Sequence, residues 1–393
     1  MKAAQSVSSR GRPDFLLLIL TLLLVGFGLV MVFSASSSIA VVTPKFNNDA
    51  LYFTKRQLAW AGLGIVVMLF MMNLKYTFYK KSFILFFVPV LIMLAIVPII
   101  GPDINGARSW FNIGPLTIQP TEPAKLAMIL YLGALIAKKG EKFRDFKTGL
   151  LPVLMIIVLI SGLIMLQPDL GSCAVLVACA TIMILAGGAN LKQVFAIGTL
   201  ATLCLTVLFS VMIAFDTEKK WAYRINRFTA YLDPISNSQG SGFHLVSSLQ
   251  ALGHGGLTGA GFGESVQKLH YLPYPYNDFI FSIIAEELGF IGSATFLLFY
   301  LLFLWRGLII ALRCPDTYGT VVGVGIIGLF AIQAFVNIGG VTGTIPITGV
   351  TLPFISYGGS SLLVCLMCMG VMLSISREAN RVEKQGNKRK FNE

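Results

Sequence analysis

The residues from Phe15 to Phe33 read FLLLILTLLLVGFGLVMVF, an apolar run without a charged side chain. A helix needs about 20 such residues to cross the hydrocarbon core of a bilayer. The run is longer than the roughly 7 to 15 apolar residues at the centre of a cleavable signal peptide. We therefore expect this segment to stay in the protein as a membrane-spanning helix.

The composition of the whole chain agrees with that first segment. Of the 393 residues, 55% are hydrophobic and only 12% are charged, whereas soluble domains carry about 25% charged residues. This excludes an ordinary soluble enzyme, a disordered chain and a coiled coil. The six cysteines are too few for a disulfide-rich secreted scaffold and lack the spacing of a metal cluster, so we interpret them as buried free thiols.

Nine further apolar stretches follow the first along the chain. The sequence therefore predicts an all-α polytopic membrane protein of about ten transmembrane helices, with one large extracytoplasmic loop between spans seven and eight. The predicted spans are 15–36, 57–74, 82–101, 122–137, 150–166, 172–188, 193–215, 277–305, 318–341 and 350–375.

The basic residues predict the orientation. With a cytoplasmic N-terminus, most of the 30 Lys and Arg residues fall on the inner side, as expected for cytoplasmic loops. We divide the chain into a cytoplasmic N-terminal tail at 1–14, a membrane domain at 15–376 and a basic cytoplasmic tail at 377–393. The net charge of +12 then reports orientation and attraction to anionic lipid, and no nucleic acid is expected as a partner.

The large outer loop is predicted at 216–277. It contains several aromatic residues and an amphipathic stretch, Phe243 to Leu252, that can lie flat in the headgroup layer. Glycines at 253–263 give the backbone freedom but match no phosphate-binding motif. The loop holds all three histidines, whose spacing matches no zinc motif; they are His244, His254 and His270.

Charged residues at the start of span four form the first candidate site. Glu122 and Lys125 are three residues apart on one helix face, so the two charges can neutralise each other. Thr121 or Glu122 can also cap this helix. The pair, with Arg108 and Trp110 just before it, is read either as a structural ion pair or as part of a substrate contact.

The strongest candidate for chemistry is Asp278, at the outer mouth of span eight. On a helix, Asp278, Ser282 and Glu286 would lie near one face, with Glu287 beside them. Partial removal of water would raise the pKa of Asp278 and make it a better proton acceptor. The alternative, a carboxylate that caps the helix N-terminus, stays open on this reasoning alone.

Two other polar segments are interpreted mainly as structural. Asp169 lies in the turn between spans five and six and can cap the next helix. Near the end of the chain, the amides of Gln333 and Asn337 and small residues such as Ser360 favour close helix packing and bridging hydrogen bonds.

These segments together resemble the SEDS family (shape, elongation, division and sporulation) of polytopic membrane proteins, over nearly the whole chain from about Asp14 to Arg377. The loop and the ending are more similar to the FtsW and SpoVE branch than to RodA. The segments that carry the resemblance are 105–110, 119–125, 167–171, 223–227, 253–263, 267–292 and 353–361.

The resemblance implies a peptidoglycan glycosyltransferase of the bacterial cytoplasmic membrane, acting in division or sporulation. It would polymerise lipid II on the outer face, with undecaprenyl pyrophosphate as the leaving group. Asp278 would be the general base, and a divalent cation (Mg²⁺ or Mn²⁺) but no organic cofactor is expected. Substrate contacts are expected from Arg108, Trp110, Lys125, Arg224, Arg227 and Lys268, with Glu122, Asp169, Glu286, Glu287 and Ser360 in supporting roles.

Two other functions remain open at this point. A lipid II flippase would also require intramembrane charges and a polar cavity, although the sequence lacks the paired broken helices of inverted repeats. A scaffold that recruits a transpeptidase is compatible with either activity. The resemblance implies a class B penicillin-binding protein as partner, together with other divisome or sporulation proteins.

Overall fold

A computed structural model describes residues 11–103, 107–113, 116–214, 231–236, 240 and 242–392. The described part is mostly helical, as predicted from the sequence. Its long helices are α1 (Phe15–Val42), α2 (Tyr52–Asn73), α3 (Tyr76–Ile100), α4 (Thr121–Lys139), α5 (Leu151–Met165), α6 (Leu170–Ala186), α7 (Leu191–Ala214), α8 (Phe243–Gly255), α9 (Ile280–Leu312), α10 (Thr317–Val341) and α11 (Gly359–Asn392). Short 3-10 helices occupy Pro44–Phe46 and Gly140–Arg144, and a π-helical turn at Phe146–Leu150 precedes α5.

One β-hairpin interrupts the helices, and the sequence analysis missed it. Strands β1 (Phe111–Ile113) and β2 (Leu116–Ile118) pair antiparallel, with Phe111 opposite Ile118. The alternation of apolar and polar residues in these strands is typical of β-structure, but three-residue strands are too short to stand out beside the apolar spans. The hairpin leads directly into α4.

Seven helices are long and apolar enough to cross a membrane, judged by length and composition over the described residues. They are Phe15–Val42, Tyr52–Asn73, Tyr76–Ile100, Phe146–Met165, Ile280–Leu312, Thr317–Val341 and Gly359–Val382. Leu170–Ala186 and Leu191–Leu200 are apolar but shorter, and α4 carries four charged residues. The chain is a multi-pass membrane protein, and the count of ten spans stays a prediction.

Two predicted spans begin later than expected. Span eight was placed from 277, but its helix starts at Ile280. Span ten was placed from 350, but α11 starts at Gly359, because Pro353 and the left-handed backbone at Gly349 and Phe354 interrupt any helix there. Asp278 therefore lies before α9, and the prediction that it shares a helix face with Ser282 and Glu286 is wrong.

The bundle packs around α10, whose glycines and small residues let α4, α6 and α9 approach closely. Helix α11 runs along α2, where Leu366 and Met68 fill the contact. Large apolar side chains such as Leu85 and Phe195 point outward and are mostly exposed. On a protein with this many apolar helices, such a surface is suited to lipid.

The two ends of the described chain lie together at one end of the bundle. Arg306, near the end of α9, forms an ion pair with Asp14 at 2.5 Å, and Arg377 donates to the carbonyl of Gly11 at 3.0 Å. Helix α9 runs from this end towards Asp278. The Asp278 region and the chain ends are therefore at opposite ends of the bundle.

Helix α8 belongs to the outer region but packs against the protein. Its Ser248 hydroxyl is buried, 2.7 Å from Ser282 Oγ of α9 and 2.7 Å from the carbonyl of Val341. Leu245 and Ala251 are buried on the same side, whereas Leu249 is exposed. The predicted amphipathic stretch is thus a helix, and its inner face contacts α9 and α10.

Candidate active site

The Asp278 carboxyl is at the end of the outer loop, two residues before α9 begins. Its side chain is half-buried, and a β-carbon placed on Gly349 would lie 3.5 Å from its Oδ2. No described residue donates a hydrogen bond to this carboxyl group. Because Phe279 and not Asp278 is the N-cap residue of α9, the alternative reading of Asp278 as a helix cap is wrong.

Hydrogen bonds to the backbone hold Asp278 in place. The buried amide of Asn337 in α10 donates to the carbonyl of Asp278 at 2.7 Å and to the carbonyl of Val350 at 2.8 Å. The amide N–H of Tyr357 donates to the carbonyl of Tyr276 at 2.9 Å. These bonds fasten the end of the outer loop to the segment between α10 and α11. The carboxyl group itself is left available.

Aromatic side chains pack around Tyr276, two residues before Asp278. The ring of Tyr276 lies 4.4 Å from that of Phe53 in α2 and 5.7 Å from that of Tyr357. Gln57 of α2 is buried, donates to the carbonyl of Ser356 at 3.2 Å and accepts from the N–H of Gly358 at 3.2 Å. The chain before Asp278 is therefore held by α2 and by the segment that precedes α11. Gln57 was missed in the sequence analysis, since its position at the predicted start of span two gave no sign of this contact.

The surroundings raise the pKa of Asp278 to about 7. Burial disfavours the charged carboxylate and is the main cause, and the negative charge of nearby Asp169 adds to it. A carboxyl group with a pKa near neutral pH is partly ionised under working conditions and is well matched to accept a proton. The raised pKa predicted for Asp278 from partial desolvation is thus supported by its structural setting.

Asp169 caps α6, as predicted. Its carboxylate accepts from the N–H of Ser172 at 2.9 Å and from the side-chain amide of Gln119 at 3.4 Å. A β-carbon on Gly171 would lie 2.6 Å from the carbonyl of Thr348. The start of α6 is therefore in close contact with the segment that flanks Asp278, and Asp169 acts on the site through its charge.

Glu122 and Lys125 form the predicted ion pair. Lys125 Nζ lies 2.7 Å from Glu122 Oε1, and both side chains are buried. The capping role considered for Thr121 and Glu122 is wrong, because Pro120 is the N-cap residue of α4 and no side chain caps this helix. The pairing favours the structural reading of these two residues, since the ammonium charge is already compensated.

Lys268 is engaged inside the protein. Its ammonium lies 2.7 Å from Glu287 Oε1 and 3.2 Å from the hydroxyl of Ser34 in α1. Ser34 also donates to Glu287 at 2.6 Å. The prediction that Lys268 contacts the substrate gains no support from this arrangement, which instead indicates that Lys268 and Glu287 fasten the outer loop to α9 and α1.

Glu286 fastens a neighbouring part of the same loop. Its fully buried carboxylate accepts from the N–H of Val266 at 2.9 Å, the N–H of Gln267 at 3.3 Å and the hydroxyl of Ser265. Nδ1 of His254 in α8 is 2.9 Å from the same carboxylate. The adjacent residues Glu286 and Glu287 thus tie the outer loop to α9.

Of the remaining predicted site residues, three lie near the hairpin or in α11 and two fall outside the described residues. Arg108 is exposed and donates to the carbonyl of Ile99 at 3.3 Å, and Trp110 is partly buried at the start of the hairpin. Ser360 is buried in the first turn of α11. Arg224 and Arg227 fall within 215–230, which the structure does not describe.

The described residues contain no cluster of three metal-ligating side chains. Within the ranges given above, no three His, Cys, Asp or Glu side chains come together. A carboxylate pair can share a Mg²⁺ ion with substrate phosphates, but no ligand set can be assigned to the expected divalent cation here.

The fold and the site define a multi-pass membrane protein with a partly desolvated carboxyl group at one end of its helical bundle. The cell cycle protein family of FtsW, RodA and SpoVE matches residues 14–381. The chain belongs to this family.

Individual relatives resemble the chain over almost its whole length. It is 45% identical to stage V sporulation protein E of Bacillus subtilis, over 93% of this chain and 97% of the relative. It is 39% identical to the probable peptidoglycan glycosyltransferase FtsW of Trichlorobacter lovleyi, over 92% of this chain and 93% of the relative.

Solved structures show the same fold. A chain from a structure on the coordination of polymerization and crosslinking by a peptidoglycan synthase complex has a TM-score of 0.76 and 29% identity, covering 93% of this chain and 98% of that one. The rod shape determining protein RodA of Thermus thermophilus has a TM-score of 0.66 and 28% identity, covering 93% of this chain and 97% of that one.

Proposed function

We propose that this protein is a peptidoglycan glycosyltransferase that joins lipid II disaccharides into glycan strands at the outer face of the bacterial cytoplasmic membrane. Relatives that carry this activity in their names align over nine-tenths of the chain. The observation that carries the chemistry is the Asp278 carboxyl group, which is half-buried, has no described hydrogen-bond donor and has a pKa of about 7.

In the proposed reaction, the ionised Asp278 accepts the proton of the acceptor 4-hydroxyl group. The oxygen then attacks the anomeric carbon of the donor sugar, and the bond to undecaprenyl pyrophosphate breaks. A base whose pKa lies near the working pH combines a useful ionised fraction with adequate basicity. The hydrogen bonds from Asn337 and Tyr357 support this role, because they hold the backbone carbonyls of Asp278 and Tyr276.

The leaving pyrophosphate develops negative charge and requires cations nearby. Arg108 is the exposed candidate among the described residues. Arg224 and Arg227 remain candidates by their place in the outer loop, since a guanidinium group binds phosphate with two parallel hydrogen bonds. Lys125 and Lys268 are weaker candidates, because each ammonium is already paired with a buried glutamate.

The proposal includes an orientation and a partner. With both chain ends in the cytoplasm, Asp278 faces the outer surface, because it lies at the opposite end of the bundle from Asp14. A class B penicillin-binding protein is the proposed partner, supported by the likeness to a chain from a peptidoglycan synthase complex. Other division or sporulation proteins complete the proposed setting.

A reconstituted assay separates this function from its alternatives. The full chain and its transpeptidase partner are placed in vesicles with fluorescent lipid II in the outer leaflet, beside vesicles with the partner alone. Glycan strands that require the chain are the expected product. Movement of the label across the bilayer without strands would instead identify a flippase. If neither strands nor movement of the label were observed, the scaffold function would be the remaining alternative.

A further inference from the structure

A cavity of about 350 Å³ opens at the end of the bundle that carries both chain ends. The turn between α2 and α3, the later part of α11 and Gly11 line it. It lies at the opposite end of the bundle from Asp278, so the proposed reaction does not use it. Its volume is within the range of small-molecule binding sites.

The lining of the cavity carries an excess of positive charge. Arg381 pairs with Glu378 at 2.6 Å. Among the described residues, Arg377 bonds only to neutral groups, the carbonyl of Gly11 at 3.0 Å and the side-chain oxygen of Asn73 at 2.7 Å. Lys75 is exposed, and no described carboxylate pairs with Lys75 or Arg377. Counting the described side chains, two cations around the cavity therefore have no acidic partner.

The position of the cavity at a membrane surface favours an amphiphilic ligand. Helix α2 ends at Asn73 and α3 begins at Tyr76, and both helices are candidate membrane spans. The turn between them therefore lies at a membrane surface. Met72 and Leu74 add apolar lining beside the cations. A charged headgroup fits the cations, while its acyl chains can follow the apolar helix surfaces into the bilayer.

We propose that this cavity binds the phosphate headgroup of an anionic phospholipid. Arginine and lysine are the preferred partners of phosphate, and basic pockets between membrane helices bind such headgroups. One bound headgroup would contact Lys75 before α3, Arg377 of α11 and the chain near Gly11 together. The lipid would therefore stabilise the packing of three distant chain segments.

Retention of lipid by the purified full chain tests the site. The chain is exchanged into neutral detergent with defined amounts of phosphatidylglycerol, phosphatidylcholine or inorganic phosphate, and bound molecules are counted by native mass spectrometry. We expect phosphatidylglycerol to be retained in preference to phosphatidylcholine and to raise the unfolding temperature. Inorganic phosphate should produce neither effect at the same concentration, because it lacks the apolar part.

Three substitutions test whether the charges that line the cavity bind the lipid: one should weaken binding, one should strengthen it and one is the control. Lys75→Gln should weaken phosphatidylglycerol binding about fivefold, the effect of one lysine near a phosphate surface. Glu378→Gln should strengthen binding, because it frees Arg381. Lys142→Gln is the control, since Lys142 is an exposed cation outside the cavity, and it should leave binding unchanged.

Unfolding temperatures without lipid show whether each variant is folded. Equal retention of phosphatidylglycerol and phosphatidylcholine by the wild type would overturn the proposal. So would equal losses in Lys75→Gln and Lys142→Gln, which would indicate only a general attraction of basic residues to anionic lipid. Binding of inorganic phosphate as tight as that of the lipid would exclude the lipid as the ligand.

Discussion

The ammonium group of Lys268 lies 2.7 Å from the carboxylate of Glu287, and both side chains are buried. The adjacent Glu286 accepts hydrogen bonds from Val266 and Gln267. Through these contacts the outer loop is fixed to the first two turns of α9, a few residues after Asp278. The position of the candidate base thus depends on buried charges that do not touch it.

Removal of one charge from this pair should destabilise the protein. Lys268→Met leaves the Glu287 carboxylate buried without its counter-charge, which costs about 3 to 5 kcal/mol. We expect a clear fall in the unfolding temperature in detergent and a loss of activity with it. The measurement is thermal unfolding followed by tryptophan fluorescence.

The double variant Lys268→Met/Glu287→Met is the control for that prediction. It removes both charges together, so it should recover much of the stability lost in the single variant. A Lys268→Met variant as stable as the wild type would show that the pair contributes little to holding the loop.

Gly289 should tolerate no side chain. Its backbone is left-handed at φ +65° within α9, and an added β-carbon would lie 2.2 Å from the amide nitrogen of Gly259 in the outer loop. Gly289→Ala should therefore destabilise the protein by on the order of 1 to 3 kcal/mol. Gly253→Ala in α8 meets nothing within 4 Å and should be at least as stable as the wild type, because alanine is favoured over glycine inside a helix; equal losses in both would refute the close-contact argument.

The rate of strand synthesis should rise with pH up to about 7 and then level off. The base works only when ionised, and the pKa of Asp278 is raised to about 7. Below that value, the rate should fall about tenfold per pH unit. Glu264→Gln removes an exposed carboxylate of the same loop and should leave the profile unchanged. A wild-type profile that stays flat from pH 5 to 8 would argue against this base.

Asp169→Asn should move that profile to lower pH. The charge of Asp169 raises the pKa of Asp278, so its removal lowers the midpoint, while the asparagine still caps α6. The pH dependence of strand synthesis, measured beside wild type, checks the shift. An unchanged midpoint with normal activity would show that burial alone sets the pKa.

Much of the fold followed from hydrophobic runs, because each apolar stretch of about 20 residues forms a helix whatever its neighbours are. The ends of the helices were harder to predict. At Asp278 and in the segment at 350–358, where Pro353 and positive φ angles interrupt the helix, long-range bonds from Asn337 and Gln57 satisfy the backbone groups. Such bonds join residues far apart in sequence and leave no local pattern.

The sequence suggested residues for the candidate site, but it predicted only some of the contacts between them. The ion pair of Glu122 and Lys125 follows from their spacing on one helix, and the cap by Asp169 follows from turn chemistry. The pairing of Lys268 with Glu287 depends on how the loop folds back onto α9 and α1. Sequence alone therefore offered Lys268 as a free cation, which the tertiary contacts do not support.

The most direct test of the central claim is strand synthesis by Asp278→Asn. The substitution keeps the size of the side chain and removes its basicity, so a folded variant with its partner present should polymerise lipid II at least about 100-fold more slowly than wild type. Binding of lipid II should be largely retained. Synthesis at a near-normal rate by the folded variant would contradict the assignment of Asp278 as the base.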